Sequence, residues 1–452
     1  VGALTGRVVL ITGAGRGIGR EEALFFAAEG AKVVVNDPGV EPDGTGGDTG
    51  VAAAVVDEIV ARGGVAVANT DSVSDWDGAR RMVQAAVDTF GDLHVVVNNA
   101  TIKADRAMDV MTESQFDDVV AVKLKGTFAV SHWAARYWRT QYEAGAGAGR
   151  AADSRGSGDC SAAGQAADAP ADLANARLDQ ANAGAGRANA GAGRGIGCEP
   201  VDRTAHAPAG RTMAPAEVAP GTARAIAPED QGIARVDRAI VNTSSGSGLV
   251  NPLPGQTNYA AANAGVAAMT ISSALELGRY GVRVNCISPS MARTRLTSAV
   301  PGATADPQAI APVAAYLATE DCPLTGQVLA VSAASHAPSE AVSAAPRAPS
   351  ELGNDRGGQS VPRLHGDSVP RLRGGAVTIN NGWSPGARVY PAGSTWTVAE
   401  LAAALGELPF TDPFEKLAAA LASALGTAGR DEIQRMINAQ LDEASPNDRR
   451  TS

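Results

Sequence analysis

A doubly wound α/β fold follows from three features of the first 143 residues. Short β-branched runs begin at Val8, Lys32, Val65 and Leu93, amphipathic stretches separate them, and a glycine-rich turn joins the first run to the first stretch. Apolar strands alternating with helices imply a parallel sheet covered on both faces, with right-handed crossovers.

The elements can be justified in order. Residues 8–11 are apolar and end at a glycine turn. The stretch after them places Ala23, Leu24, Phe26 and Ala27 on one side, as a helix against a sheet does. Residues 32–36 (KVVVN) read as a buried strand, 51–62 as a helix, 65–69 as a strand, 76–90 as a helix and 93–97 as a strand. One long helix is predicted from 116 to about 142. Further on, 238–243 (RAIVNT), 282–288 (VRVNCIS), 327–331 and 376–379 read as strands and 259–280 as a helix. The tail keeps a helical stripe, with Ile433, Met436, Ile437 and Leu441 on one face.

Two stretches break the pattern. From 144 to 234 aromatic and β-branched residues nearly vanish, and ANAGAGR occurs twice in tandem. A segment from 332 to 373 carries the near-repeat SVPRLHG and SVPRLRG. Such composition buries too little surface to offset ordering entropy, so both are expected to be disordered insertions that proteases cut first. The resulting map is a dinucleotide-binding part over 1–143, the insertion 144–234, a catalytic part of the same domain over 235–331, the insertion 332–373, a last strand and return segment over 374–390, and a helical tail over 391–452.

Composition narrows the function. The chain has 452 residues, is 44% hydrophobic and carries a formal charge of −10, so it has a sizeable core and no broad basic surface for nucleic acid. Cys160, Cys198, Cys286 and Cys322 are far apart, with neither zinc-ligand spacing nor a disulfide framework. No metal site is predicted. Residues 1–7 lack a signal pattern and no apolar run is long enough to span a bilayer. A cytoplasmic protein without a membrane partner is expected.

The strongest motif is Thr12-Gly13-Ala14-Gly15-Arg16-Gly17-Ile18-Gly19, directly after a strand and opening a helix. Glycines there let the backbone approach a pyrophosphate, and the helix N-terminus presents unpaired N–H groups. The same GRGIG string at 193–197 follows no strand and is given no function. Asp37 closes the second strand, where an acid accepts hydrogen bonds from the adenosine ribose and repels a 2′-phosphate. NAD is therefore favoured over NADP. The ordinary alternative is a turn aspartate before Pro38. A dinucleotide-binding (Rossmann) domain is expected.

With these motifs the sequence resembles the short-chain dehydrogenase/reductase family. T-G-x-x-x-G-x-G matches at 12–19. Asp71-Ser72 matches the family's adenine-contacting aspartate and its neighbour. Asn98-Asn99-Ala100-Thr101 nearly matches Asn-Asn-Ala-Gly, and Tyr259 with Asn263 half matches Tyr-x-x-x-Lys. Pro289 to Thr294 resembles the Pro-Gly-x-x-x-Thr lid beside the nicotinamide. The strings NDPG at 36–39, DSV at 71–73, LKGTF at 124–128 and GQTNY at 255–259 are similar to the dehydrogenase domain of multifunctional enzyme type 2 and its bacterial single-domain relatives. That group acts on (3R)-hydroxyacyl-CoA thioesters and hydroxysteroids. The resemblance covers about 1–143, 235–331 and 374–390. No hydratase-like half follows it.

The resemblance implies a cofactor site built from Gly13, Arg16, Gly17, Ile18, Gly19, Asp37, Asp71, Ser72, Asn98, Asn99, Ala100, Tyr259, Asn263, Pro289 and Thr294. It implies that Tyr259 exchanges a proton with the substrate alcohol while hydride passes to the nicotinamide, and that Ser245 holds the substrate oxygen. The 14-residue spacing between those two is one more than the family's, with Ser247 as the fallback. Two catalytic positions depart from the pattern: the family lysine is Asn263, and the family asparagine is Lys123. Loss of the cation would leave a tyrosine of ordinary pKa near 10 uncorrected. The departures are reciprocal, so Lys123 could place its ammonium near Tyr259 while Asn263 takes the ribose contact; independent loss of function is the plainer explanation. Ser290 and Thr101 replace glycines. The favoured function is an NAD-dependent dehydrogenase of a small-molecule secondary alcohol. The competing one is a non-catalytic NAD-binding protein whose insertions recruit partners. The family also implies a homodimer or homotetramer through the helices at 116–142 and 259–280.

Overall fold

The computed structural model describes residues 2–153, 237–249, 253–290, 292–298, 306–332, 376–381, 384–391 and 395–408, with a few single positions between 410 and 439. Among the described residues, nine strands form one sheet in the order β3-β2-β1-β4-β5-β6-β7-β8-β9. They are β1 (Val8–Thr12), β2 (Lys32–Asn36), β3 (Val65–Asn69), β4 (Val95–Asn98), β5 (Arg238–Thr243), β6 (Val282–Ser290), β7 (Val328–Ser332), β8 (Ala376–Asn381) and β9 (Ser384–Val389). The first seven run parallel. β8 and β9 close the edge as an antiparallel hairpin.

Every residue of β1 and of β5 is buried, because helices cover both faces of the sheet there. On one face lie α1 (Gly17–Ala28) and α2 (Gly50–Ala61), with Phe26, Val33, Val35, Val95 and Val97 in their core. On the other lie α3 (Trp76–Phe90) and α5 (Gly126–Asp153), with Leu10, Val34, Val96, Met82, Trp133 and Trp138 in theirs. The alternation of Val9, Leu10 and Ile11 between the two cores is the period-two side-chain rule of a strand. α3 keeps the predicted bounds because its ends are chemically marked. The Asp75 carboxylate caps the N-terminus by accepting from the Asp77 amide at 3.2 Å, and Gly91 leaves the C-terminus at φ 84°.

Several elements differ from the sequence reading. The predicted helix from 116 to 142 is a longer, composite one: α4 (Glu113–Val120), a π-helical turn (Ala121–Lys125) and α5. A Thr112–Gln115 capping box starts it before Phe116. It also runs ten residues into the stretch from 144 that was expected to lack structure, because extending an existing helix avoids the cost of nucleation and alternate alanines favour it. A short α6 (Gly246–Leu249), α7 (Thr257–Leu277), α8 (Ala311–Leu317) and α9 (Val398–Gly406) complete the fold; α6 and α8 carry too little periodicity to be read from sequence. The tandem repeats, the 193–197 copy and the stripe at 433–441 lie outside the described residues.

Candidate active site

The C-terminal ends of β1, β4, β5 and β6 open into a cleft of about 420 Å³. In the order 3-2-1-4-5, chain direction across the sheet reverses between β1 and β4, and adjacent loops there diverge to leave a crevice. The glycine loop floors it. Gly13 has φ +64°, and a Cβ there would lie 2.8 Å from the Ala100 Cα. At Gly19 a Cβ would lie 2.3 Å from the Gly13 carbonyl oxygen. Only glycine lets β1, the loop and α1 approach this closely. The loop thus delivers the N-terminus of α1, with its unpaired amides, to the cleft.

Two side chains brace the loop. Asn99 Nδ2 donates to the carbonyls of Thr12 at 3.1 Å and Gly13 at 3.0 Å, while the Asn99 and Ala100 amides donate to Thr12 Oγ1 at 3.2 Å. The Asp37 carboxylate accepts from the Gly15 amide at 2.9 Å and the Gly39 amide at 2.7 Å.

At the inner end stand Tyr259, Ser245, Thr101 and Lys123. Ser245 immediately precedes α6, and its Oγ accepts from the Ser247 amide at 3.3 Å. Ser245, not Ser247, therefore faces the cleft. Tyr259 lies in the first turn of α7. Enclosure pushes its phenol above the ordinary tyrosine value; hydrogen bonding by Ser245, Thr101 and Asn263 opposes that shift without cancelling it. Lys123 is 1% exposed on the π turn, its Nζ 3.5 Å from the Ala100 carbonyl oxygen. Burial pulls its ammonium down to about 8, with Cys286 and Glu22 opposing.

Residues 7–148 match the short chain dehydrogenase family model, and 221–336 match the Enoyl-(Acyl carrier protein) reductase model. A short-chain type dehydrogenase/reductase of Mycobacterium tuberculosis is 32% identical over 320 residues, 70% of this chain and 78% of the relative. The chain belongs to the short-chain dehydrogenase/reductase family. A hydroxyacyl-CoA dehydrogenase of the same organism is 33% identical over 310 residues, 68% of this chain and 67% of that one. The peroxisomal multifunctional enzyme type 2 of Mus musculus is 46% identical over 136 residues, 30% of this chain and 18% of the enzyme. This short-chain dehydrogenase/reductase is thus an oxidoreductase of a family that works with a nicotinamide dinucleotide.

Most residues predicted for its site converge on the cleft: Gly13, Arg16, Gly17, Ile18, Asp37, Ser72, Asn99, Ala100, Lys123, Ser245, Tyr259, Pro289 and Thr294 all line it. Four do not. Gly19 serves the packing of α1. Asp71 is held by Arg81 at 2.6 Å and by Asn69 Nδ2 at 2.9 Å. Asn98 is buried in the sheet, its Nδ2 donating to Ser131 Oγ and Asn242 Oδ1, both at 2.9 Å. Asn263 is buried behind Tyr259 and donates from Nδ2 to the Tyr259 carbonyl at 2.8 Å. Of the two reciprocal positions, Lys123 shares the cleft with Tyr259, whereas Asn263 does not line it. Sequence reasoning missed the wall made by Val40, Thr45 and Arg295, which comes from aperiodic loops with no motif. It also missed Glu22, although helical spacing from Gly19 and Phe26 puts that carboxylate on the buried face of α1.

Proposed function

We propose that the chain is an NAD-dependent dehydrogenase of a secondary alcohol or its ketone, of the 3-hydroxyacyl-CoA or hydroxysteroid kind. The observation that carries the reading is the side-chain-free loop at Gly13 and Gly19, which leads β1 into the α1 N-terminus at the crevice. Its amides and dipole suit a pyrophosphate. Asp37 favours NAD: its carboxylate accepts one bond from the loop at Gly15 and one from the Gly39 amide, and a carboxylate has about four acceptor positions, leaving room for ribose hydroxyls. A 2′-phosphate would meet that negative charge instead.

Bound nicotinamide supplies the hydride acceptor or donor. The chain's own residues handle the proton and the position of the substrate. The Tyr259 hydroxyl gives a proton to the substrate oxygen in reduction and takes it in oxidation. The Ser245 hydroxyl fixes that oxygen beside Tyr259, and Thr101, beyond the C-terminal end of neighbouring β4, orients the phenol. The name of the hydroxyacyl-CoA dehydrogenase relative supports the substrate class, and no observation favours the binding-only alternative. Self-assembly belongs to the same reading: Phe116, Phe128 and Ile271 are exposed on α4, α5 and α7 and suit a second copy.

The test is a fluorescence titration with NADH and NADPH, followed on the same sample by a turnover screen on 3-hydroxyacyl-CoA thioesters, hydroxysteroids and simple secondary alcohols. Tighter binding of NADH and turnover of one class are expected. Binding without any turnover would sink the catalytic half, and no binding would sink the whole.

A further inference from the structure

Tyr259 stands where two distant stretches of the chain meet. One leaves β4 and runs through Thr101 to Arg106; the other runs from Gly255 into α7. Three adjacent ties join them. The Arg106 amide donates to the Gly255 carbonyl at 2.9 Å, Gln256 Nε2 donates to Asp105 Oδ2 at 2.9 Å, and Asn258 Nδ2 donates to the Ala104 carbonyl at 3.0 Å. Asn258 does more than the other two. It is fully buried, and its Nδ2 also donates to the Gln115 carbonyl on α4 at 2.8 Å. Its Oδ1 accepts from the Tyr259 amide at 2.7 Å. One side chain thus fastens α7, α4 and the segment beyond β4 at a single point.

The start of α7 has little else of this kind. The first amides of a helix have no partner within it. Gln256 holds the cap position but its side chain makes no cap bond; its amide goes to Asp105, which Lys103 Nζ holds in turn at 2.9 Å. Asn258 supplies the missing acceptor, and supplies it to the residue whose phenol lines the cleft. Asn258 itself does not line the cleft. A primary amide offers two donor hydrogens and an acceptor oxygen, and here both ends are engaged, so neither alanine nor serine can reproduce the set.

We propose that Asn258 is a positioning residue for Tyr259: it holds the start of α7 against the segment that carries Thr101, and so fixes the phenol between Thr101 and Ser245. The phenol hydrogen-bonds with both. A helix start free to shift by about 1 Å would part them and leave the glycine loop as it is. The effect therefore falls on proton transfer and not on dinucleotide binding.

The inference deepens the dehydrogenase reading and rests on it for the rate alone; the setting of the phenol is measured separately. In Asn258→Ala, kcat should fall about 10²-fold while KM for NADH stays within about twofold. Independently of turnover, fluorine-19 NMR of protein labelled with 3-fluorotyrosine follows the six tyrosines, and Tyr259→Phe assigns the resonance. In Asn258→Ala the Tyr259 midpoint should fall by about one pH unit, because a loosened phenol is more open to water, while the other five stay in place. Asp237→Asn is the control, since it weakens the fold at the opposite end of the strands and should leave the Tyr259 midpoint where it is. An unmoved midpoint in Asn258→Ala, or an equal movement in Asp237→Asn, overturns the proposal whether or not the protein turns over. In an active parent, a raised KM for NADH with kcat unchanged also overturns it. A parent that binds NADH without turnover sinks the catalytic reading, and the fluorine midpoint then decides the role of Asn258 alone. Should Asn258→Ala fail to fold, Asn258→Ser, which keeps one polar group, is judged by the same midpoint.

Discussion

At the inner end of the cleft, the raised phenol of Tyr259 sets a direction for the chemistry. A phenol that stays protonated is ready to donate, so ketone reduction should change little with pH across neutrality. Alcohol oxidation needs the phenolate, whose fraction grows about tenfold per pH unit below the pKa. Initial rates should therefore show oxidation climbing steadily from pH 7 to about 10, and a flat oxidation profile would remove Tyr259 from the proton transfer. Asn263→Lys restores a cation beside the phenol and should raise oxidation near neutral pH by about 10²-fold. Lys123→Ala should lower turnover; if it leaves the rate untouched, Lys123 has no part in the reaction. Glu22 also makes stability depend on pH. Its folded-state value of about 8 lies above that of an ordinary carboxylate, so its contribution is full below that ordinary value and is lost as pH rises through 8. Melting temperatures of Glu22→Gln should decline less between pH 5 and 8 than those of the parent.

At the scale of elements, the chain returns to the sheet at Asp237 and Arg238. Asp237 bridges Arg7 at 3.1 Å and Arg283 at 2.9 Å, both guanidinium groups nearly buried, and Arg238 reaches Asp92 at 3.0 Å and the Leu93 carbonyl at 2.6 Å. These ties set the start of β5 against β4 and β6. Asp237→Asn leaves two buried cations facing one another and should cost about 3 kcal/mol in a denaturant titration. At the other break, Ser332 pairs with Ala376 across β7 and β8, so the intervening segment leaves and re-enters on one rung. Loop entropy grows slowly with length, so replacing 333–375 by a short turn should change stability by only about 1–2 kcal/mol and leave NADH affinity intact. Strong periodicity and chemical caps made α3 and the early strands legible in sequence. The β8–β9 hairpin was half visible, because β9 contains Pro385 and Gly386 and reads as a turn until β8 gives it a partner.

For the whole molecule, exposed Phe116, Phe128 and Ile271 lie on the helices expected to pair subunits. Sedimentation should report a mass two or four times 45.6 kDa, and Phe128→Glu with Ile271→Glu should shift it toward the monomer; an unchanged single-chain mass in the parent would end that idea. The sequence by itself determined the sheet class, the glycine loop and the acid at the end of β2, because strand period, glycine spacing and strand-end position are local properties. It also identified Tyr259 and Ser245 as partners, which the fold brings to one cleft. Only the tertiary structure decided where Asn98, Asp71 and Asn263 spend their hydrogen bonds, and that Glu22 is buried without a hydrogen-bond partner among the described residues. Those outcomes depend on which buried groups meet across the sheet, and pairing between distant segments is set by packing rather than by spacing along the chain.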